Sequence, residues 1–306
     1  MHKFLQPAFQ IVRGGVGLWL DHNAFLHAGA LAFFTLFSLA PTLIIAVTVI
    51  GVVLGEGAAQ GQVVAQLEDA MGVDAAVFIE QAILASRIDE AGLTPTLIGV
   101  GALLIGATTV FGQLRYSLNL LWGVRPGPGR SRFTPLRQFA KTRLLALLVV
   151  LLIGLGFLVY FVAVTAIQLS VAHFHLGGCC GWLLPALQLE VLSQAARGAV
   201  AVLITTLFIA ALFKVLPDVR VTWRDVLPGA LVTALMLTAG RYGIAAFLAT
   251  SAIASAYGAA ASLLVVLMWV YFSALLLLLG AALTRAYLTV RGRPILPSSA
   301  AVRVGA

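Results

Sequence analysis

The pattern of the chain is long unbroken apolar runs separated by short polar segments, not alternation. The run 144–164 holds no charged residue, and comparable runs recur along the 306 residues. Strands of an outer-membrane barrel would alternate apolar and polar positions. Runs of this length match a helix crossing a hydrocarbon core of about 30 Å at about 1.5 Å per residue. The reading is an all-α, polytopic membrane protein with six transmembrane helices over about 25–54, 94–122, 144–172, 191–213, 226–249 and 257–284. They form one integral-membrane domain over 1–306.

Two stretches differ. Residues 2–22 predict a juxtamembrane amphipathic helix, with Val12, Val16, Trp19 and Leu20 on one face and Lys3 and Arg13 as polar anchors. Asp21 or Asn23 is placed to cap the first span. Residues 55–93 carry Glu56, Glu68, Asp69, Asp74, Glu80, Asp89 and Glu90 against one basic residue, Arg87. Stripes at Val63, Val64, Leu67 and Met71, then Val77, Phe78, Ile83 and Leu84, predict two short amphipathic helices.

Composition strengthens the membrane reading. The chain is 61% hydrophobic and 10% charged, whereas soluble domains run about 45–50% apolar and about 25% charged. The net charge of +8 changes the picture only through its placement. Fifteen of the 19 Lys and Arg fall in the N-terminus, the loops 123–143 and 214–225, and the tail 285–306. The positive-inside bias therefore predicts both termini in the cytoplasm and 55–93 outside. Residues 1–22 show no compact apolar core with a cleavage site, so no removable signal peptide is expected.

Within the spans, Pro41 predicts a bend in the first helix, since proline removes a donor and clashes with the carbonyl four residues back, at Phe37. Arg241 lies inside the fifth span with no acid within i±3 or i±4. A charge there costs about 2.5–3.5 kcal/mol on insertion scales, so it should face a cavity, a partner or the interface. Snorkelling to the outer headgroups is the plain alternative. Arg115 and Asn119 on the second span complete a candidate substrate-binding set with Arg241, beside a structural role for both. Ser38 and Pro41 form the candidate kink.

Catalysis finds no constellation here. The spans contain no paired carboxylates, and the basic loop interleaves only Phe133 and Phe139, so neither hydrolase chemistry nor nucleic-acid binding is expected. His173, His175, Cys179 and Cys180 have poor spacing for a metal, because adjacent cysteines do not readily share one ion. No metal or cofactor is expected. The partners expected are membrane lipids, with an anionic lipid or organic anion as possible substrate.

Taken in order, AGALAFFTLFSLAPTLIIA (28–46), LRYSLNLLWGV (114–124), LPDVRVTWRDVLPGAL (216–231) and YGAAASLLVVLMWVYFSALLLLLGA (257–281) resemble the BrkB/YihY family of bacterial inner-membrane proteins. The resemblance covers nearly the whole chain. It implies six helices, a link to envelope integrity or virulence, and a role often suggested to be transport or export; an old ribonuclease label is regarded as mistaken. Similar proteins often carry an acid after the Gly-Ala of the last span, where this chain has Ala282, which argues against a carboxylate-driven mechanism at that point. The functions in view are a transporter- or flippase-like protein for an anionic or amphipathic envelope component, a non-transporting scaffold for envelope integrity, and a membrane-embedded hydrolase or ribonuclease. A cavity lined by Arg241 and Pro41 would separate transport from a solid scaffold.

Overall fold

The computed structural model describes residues 2–38, 109–126, 186–250, 261–298 and 301–303, with isolated positions in 61–81 and at 159. Pro41, most of the acidic segment 55–93, the third span and the His173–Cys180 group lie outside the described residues. Six helices carry the described part: α1 (His2–Asp21), α2 (Ala24–Ser38), α3 (109–122), α4 (Ala186–Val215), α5 (Trp223–Thr250) and α6 (Ala261–Val290). They are not simply the six expected spans, since α1 is the amphipathic element. Among the described residues, Gln194–Val215 and Leu263–Val290 are long and apolar enough to cross a membrane.

The joint between α1 and α2 is made by Asn23, whose φ of 50° is left-handed, a conformation asparagine tolerates better than most residues. Its carbonyl accepts the Leu26 and His27 amides and so starts α2. Trp19 and Phe25 stack across the joint at 4.6 Å. Val12, Val16 and Leu20 remain exposed as a stripe. Trp19, which the spacing placed with them, reaches across to α6 and donates its indole N–H to the Leu275 carbonyl at 3.2 Å. The approach is close because Gly15 lies under Leu283, where an added Cβ would come within 2.6 Å.

Helices α4 and α5 form an antiparallel hairpin through 216–222, and α6 returns along α5. Two Gly-x3-Thr segments, 229–233 and 280–284, meet face to face. A Cβ on Gly229 would stand 1.9 Å from the Thr284 Oγ1, and one on Gly280 would stand 1.9 Å from the Thr233 Oγ1. Each buried threonine donates its hydroxyl to the glycine carbonyl four residues back, at 2.7 Å. Both hydroxyls are thereby satisfied without a third helix, and the small residues let two apolar backbones approach where lipid offers no hydrophobic drive.

The tail is not a solvated extension. Helix α6 continues past Thr284 to Val290 and stops at Gly292, whose φ is 65°. Strand β1 (Val124–Pro126), after α3, pairs antiparallel with β4 (Ala301–Arg303), with Val124 opposite Arg303. Strand β2 (Val219–Arg220), in the α4–α5 loop, pairs with β3 (Leu296–Pro297). Two short ladders therefore tie three basic segments across one end of the bundle.

Candidate functional site

Polar side chains gather first at that basic end. Arg115, on α3, meets Asp218, in the α4–α5 loop, with Nη2 2.6 Å from Oδ1. Asn119, one turn on, donates to the other carboxylate oxygen at 2.9 Å and accepts the Asp218 amide at 2.7 Å. Both members of the ion pair are mostly buried, at 16% and 15% side-chain exposure. The Asp218 carbonyl then accepts the Ser298 amide of the tail at 2.8 Å. The carboxylate receives two bonds from α3, and the Asp218 backbone adds one to Asn119 and one from the tail, so the residue ties three segments together. Bonds to a charged group contribute about 1.5–3 kcal/mol each.

Beside this cluster, Thr222 and Asp225 open α5. Thr222 precedes the first helical residue, and the Asp225 carboxylate reaches back to accept its amide at 3.0 Å and its hydroxyl at 2.6 Å. This is the return half of a capping box, with aspartate at the third position. Arg293 of the tail pairs with the same carboxylate. Burial opposes the charged form of Asp225, but the Thr222 bonds and then the Arg293 guanidinium outweigh it and hold the carboxyl below its ordinary value. Arg285, near the end of α6, donates to the Leu121 carbonyl and covers Gly123.

The second feature is a cavity of about 660 Å³ lined, among the described residues, by α2 to α6. It reaches from Gly198 to Leu212 on α4, 14 residues or about 21 Å at the helical rise. Leu114 and Leu212 lie at its basic end, backed by Leu118 and Phe213, both fully buried. Toward the other end stand Arg241 and Tyr242, with Thr238 and Ser273 nearby on the lining. The Arg241 Nη2 donates to the Tyr242 hydroxyl at 2.8 Å, and the guanidinium lies 4.8 Å from that ring's centre.

The three arginine and asparagine candidates do not share a site. Arg115 and Asn119 come together around Asp218 at the basic end, where both are engaged in the ion-pair cluster. Arg241 lines the cavity instead. Ser38 is buried at the end of α2 and donates to the Thr35 carbonyl at 3.1 Å. Ala282, in the position often acidic in similar proteins, is fully buried within the core. Among the described residues no three His, Cys, Asp or Glu gather as a metal site.

With these positions known, the quoted motifs gain a structural meaning: 114–124, 216–231 and the end of the last helix converge at one end of the bundle. A family model described as "Virulence factor BrkB" matches residues 17–301. The chain belongs to the BrkB family. Curated relatives of this BrkB-family chain are named UPF0761 membrane proteins. One from Chromobacterium violaceum is 27% identical over 273 residues, covering 85% of this chain and 57% of that protein. One from Stenotrophomonas maltophilia is 31% identical over 105 residues, covering 34% of this chain and 25% of its own length. One from Yersinia pestis is 40% identical over 74 residues, covering 24% and 25%. The chain thus spans a quarter to little more than half of these relatives. No solved structure matches it significantly.

Family and structure agree on a membrane protein. Large exposed apolar side chains, including Leu203 and Leu207 on α4 and Leu231 and Leu235 on α5, have a place against lipid that water would not supply. Asp218 and Asp225, in the segment 214–225, were not among the candidates drawn from the sequence. The T-x-x-D spacing at 222–225 could have disclosed the second. Nothing local could have paired Asp218 with Arg115, 103 residues away.

Proposed function

We propose that this BrkB-family chain is a transporter- or flippase-like protein of the bacterial inner membrane, moving an anionic or amphipathic envelope component. The observation that carries the reading is the cavity with Arg241 and Tyr242 on its wall. Six spans with both termini cytoplasmic are part of the proposal and rest on the distribution of Lys and Arg. In that orientation the Asp218 and Asp225 clusters lie at the cytoplasmic end. Arg241 sits 18 residues, or about 27 Å, along α5 from Trp223, in the outer part of the membrane. Arginine suits an anion there, since its planar fork holds a carboxylate or phosphate through two parallel bonds. Buried Leu118 and Phe213 near the basic end of the cavity, and Arg241 toward its other end, fit one state of an alternating cycle. Within this reading a bend at Pro41 helps to open the bundle.

A scaffold reading keeps two specific supports, the tail ladders and the reciprocal glycine–threonine contact, which tie the described elements together toward the basic end. Neither reading uses a catalytic step. The separating experiment is complementation, in a strain lacking this protein, by Arg241→Lys and Arg241→Gln. Transport predicts a clear loss with Lys, which keeps charge but not the fork, and a greater loss with Gln at equal membrane abundance. Full activity of both variants would leave the scaffold ahead.

A further inference from the structure

The cavity is unlike a site for a small, fully hydrated anion. Its polarity is one-ended. Gly198 lies 17 residues before the end of α4 and Arg241 lies 18 after the start of α5, so the two stand at nearly the same level of the antiparallel hairpin. Below that level the described wall is chiefly apolar, through Val202, Ile209, Leu212, Leu31 and Leu114, with the uncharged hydroxyls of Thr35 and Thr205 partway. A small anion at Arg241 would leave this length unfilled, because an apolar wall gives water few partners, whereas an acyl chain would pack against it. The helices that carry the lining also have the wrong surroundings for entry from water. Tyr242, on the lining, is 63% exposed, and Leu235 and Phe247 on the same helix and Leu203 on α4, off the lining, are exposed as well. In a membrane those side chains meet acyl chains.

We infer that the cavity takes an acyl-chain amphiphile bearing one anionic headgroup, entering sideways from the bilayer, with its anion at Arg241 and Tyr242 and its chain directed toward Leu212. The inference rests on the transport reading for its purpose, but it concerns binding and stands or falls separately. Two hydrogen bonds from the guanidinium and one from the Tyr242 hydroxyl match the oxygens of a carboxylate or a phosphate. The chain packs against the apolar wall. In the proposed topology this is the orientation of an outer-leaflet lipid.

Trp269, which lines the same cavity, provides the test. The full chain is placed in phosphatidylcholine nanodiscs, and its tryptophan fluorescence is titrated with chain-brominated palmitate and chain-brominated lysophosphatidylglycerol. We expect saturable quenching that disappears in Trp269→Phe, and an apparent affinity at least tenfold weaker in Arg241→Gln than in the original chain. The tighter of the two probes names the headgroup. Equal binding by a neutral brominated monoacylglycerol overturns the inference, as does displacement of the bound probe by citrate as effective as that by unlabelled palmitate. Should Arg241→Gln not fold, Leu212→Trp in the Trp269→Phe background replaces it. Quenching there by bromine at the chain end but not near the headgroup supports the stated orientation, and the reverse pattern overturns it. Saturable binding without transbilayer movement would remove transport and leave this inference standing. Movement of chainless anions would do the opposite.

Discussion

Gly229→Ala is the substitution for which the structure gives the clearest magnitude. The new methyl would stand 1.9 Å from the Thr284 Oγ1, 2.8 Å from its Cβ and 3.1 Å from its Cγ2. Rotating Thr284 does not solve this, because its Cβ is part of the contact and rotation breaks the 2.7 Å bond to the Gly280 carbonyl. The helices must instead separate, and the loss extends to the matching contact of Gly280 with Thr233 one turn away. Overpacking of this kind costs about 1–3 kcal/mol, against a gain of about 0.5–1 kcal/mol for replacing a helical glycine by alanine. Gly112→Ala is the control, since a Cβ there meets nothing within 4 Å, and it should be neutral or slightly stabilising. Thermal unfolding of the purified protein in one detergent measures both, and Gly229→Ala with Thr284→Gly should recover part of the loss. Gly229→Ala as stable as the original chain would refute the close α5–α6 contact.

Three further outcomes follow from the basic end and the charge pattern. Asp218→Asn should destabilise by about 1–3 kcal/mol, because the mostly buried Arg115 loses its counter-charge; adding Arg115→Gln should recover part of it, and additive losses would argue against the pair. The Asp225 carboxyl is held below its ordinary value in the folded chain, so its contribution is present above the unfolded-state pKa and is lost as pH falls through the folded-state one. Thermal stability followed downward from pH 7 should therefore decline less steeply in Asp225→Asn, and an unchanged profile would remove Asp225 from the acid response. Finally, a cysteine at position 130, in a chain with Cys179 and Cys180 replaced by serine, should resist an impermeant thiol reagent applied to intact cells, whereas cysteines within 55–93 should react.

What could be read from the residues was mostly what depends on short range. Apolar runs fix helices of membrane length, and their period needs no knowledge of neighbours. The amphipathic stripe of α1 was legible for the same reason, although Trp19 was misplaced because the Leu275 carbonyl that holds it is 256 residues away. The candidate residues could be picked out one by one, but not their arrangement. An arginine inside a span announces a cavity, a partner or the interface, and Arg241 lines a cavity. Arg115 sent the same signal, yet its acid comes from a loop after another helix. The tail showed only basic residues, and its ladders need loops that sequence spacing does not bring together. Gly-x3-Thr occurs in both 229–233 and 280–284, but its meaning lies in two copies facing each other, which is a property of packing.

The central claim is movement of an anionic amphiphile through the bundle, and transbilayer movement is the quantity that tests it. The purified chain would be reconstituted into vesicles with a fluorescent, acyl-chain-bearing phosphate lipid, and the fraction exposed on the outer face would be followed by quenching with an impermeant reductant. The account predicts redistribution faster than in protein-free vesicles, reduced by Arg241→Lys and reduced further by Arg241→Gln at equal reconstitution. Redistribution no faster than in protein-free vesicles by folded protein, or equal rates for all three chains, would contradict it.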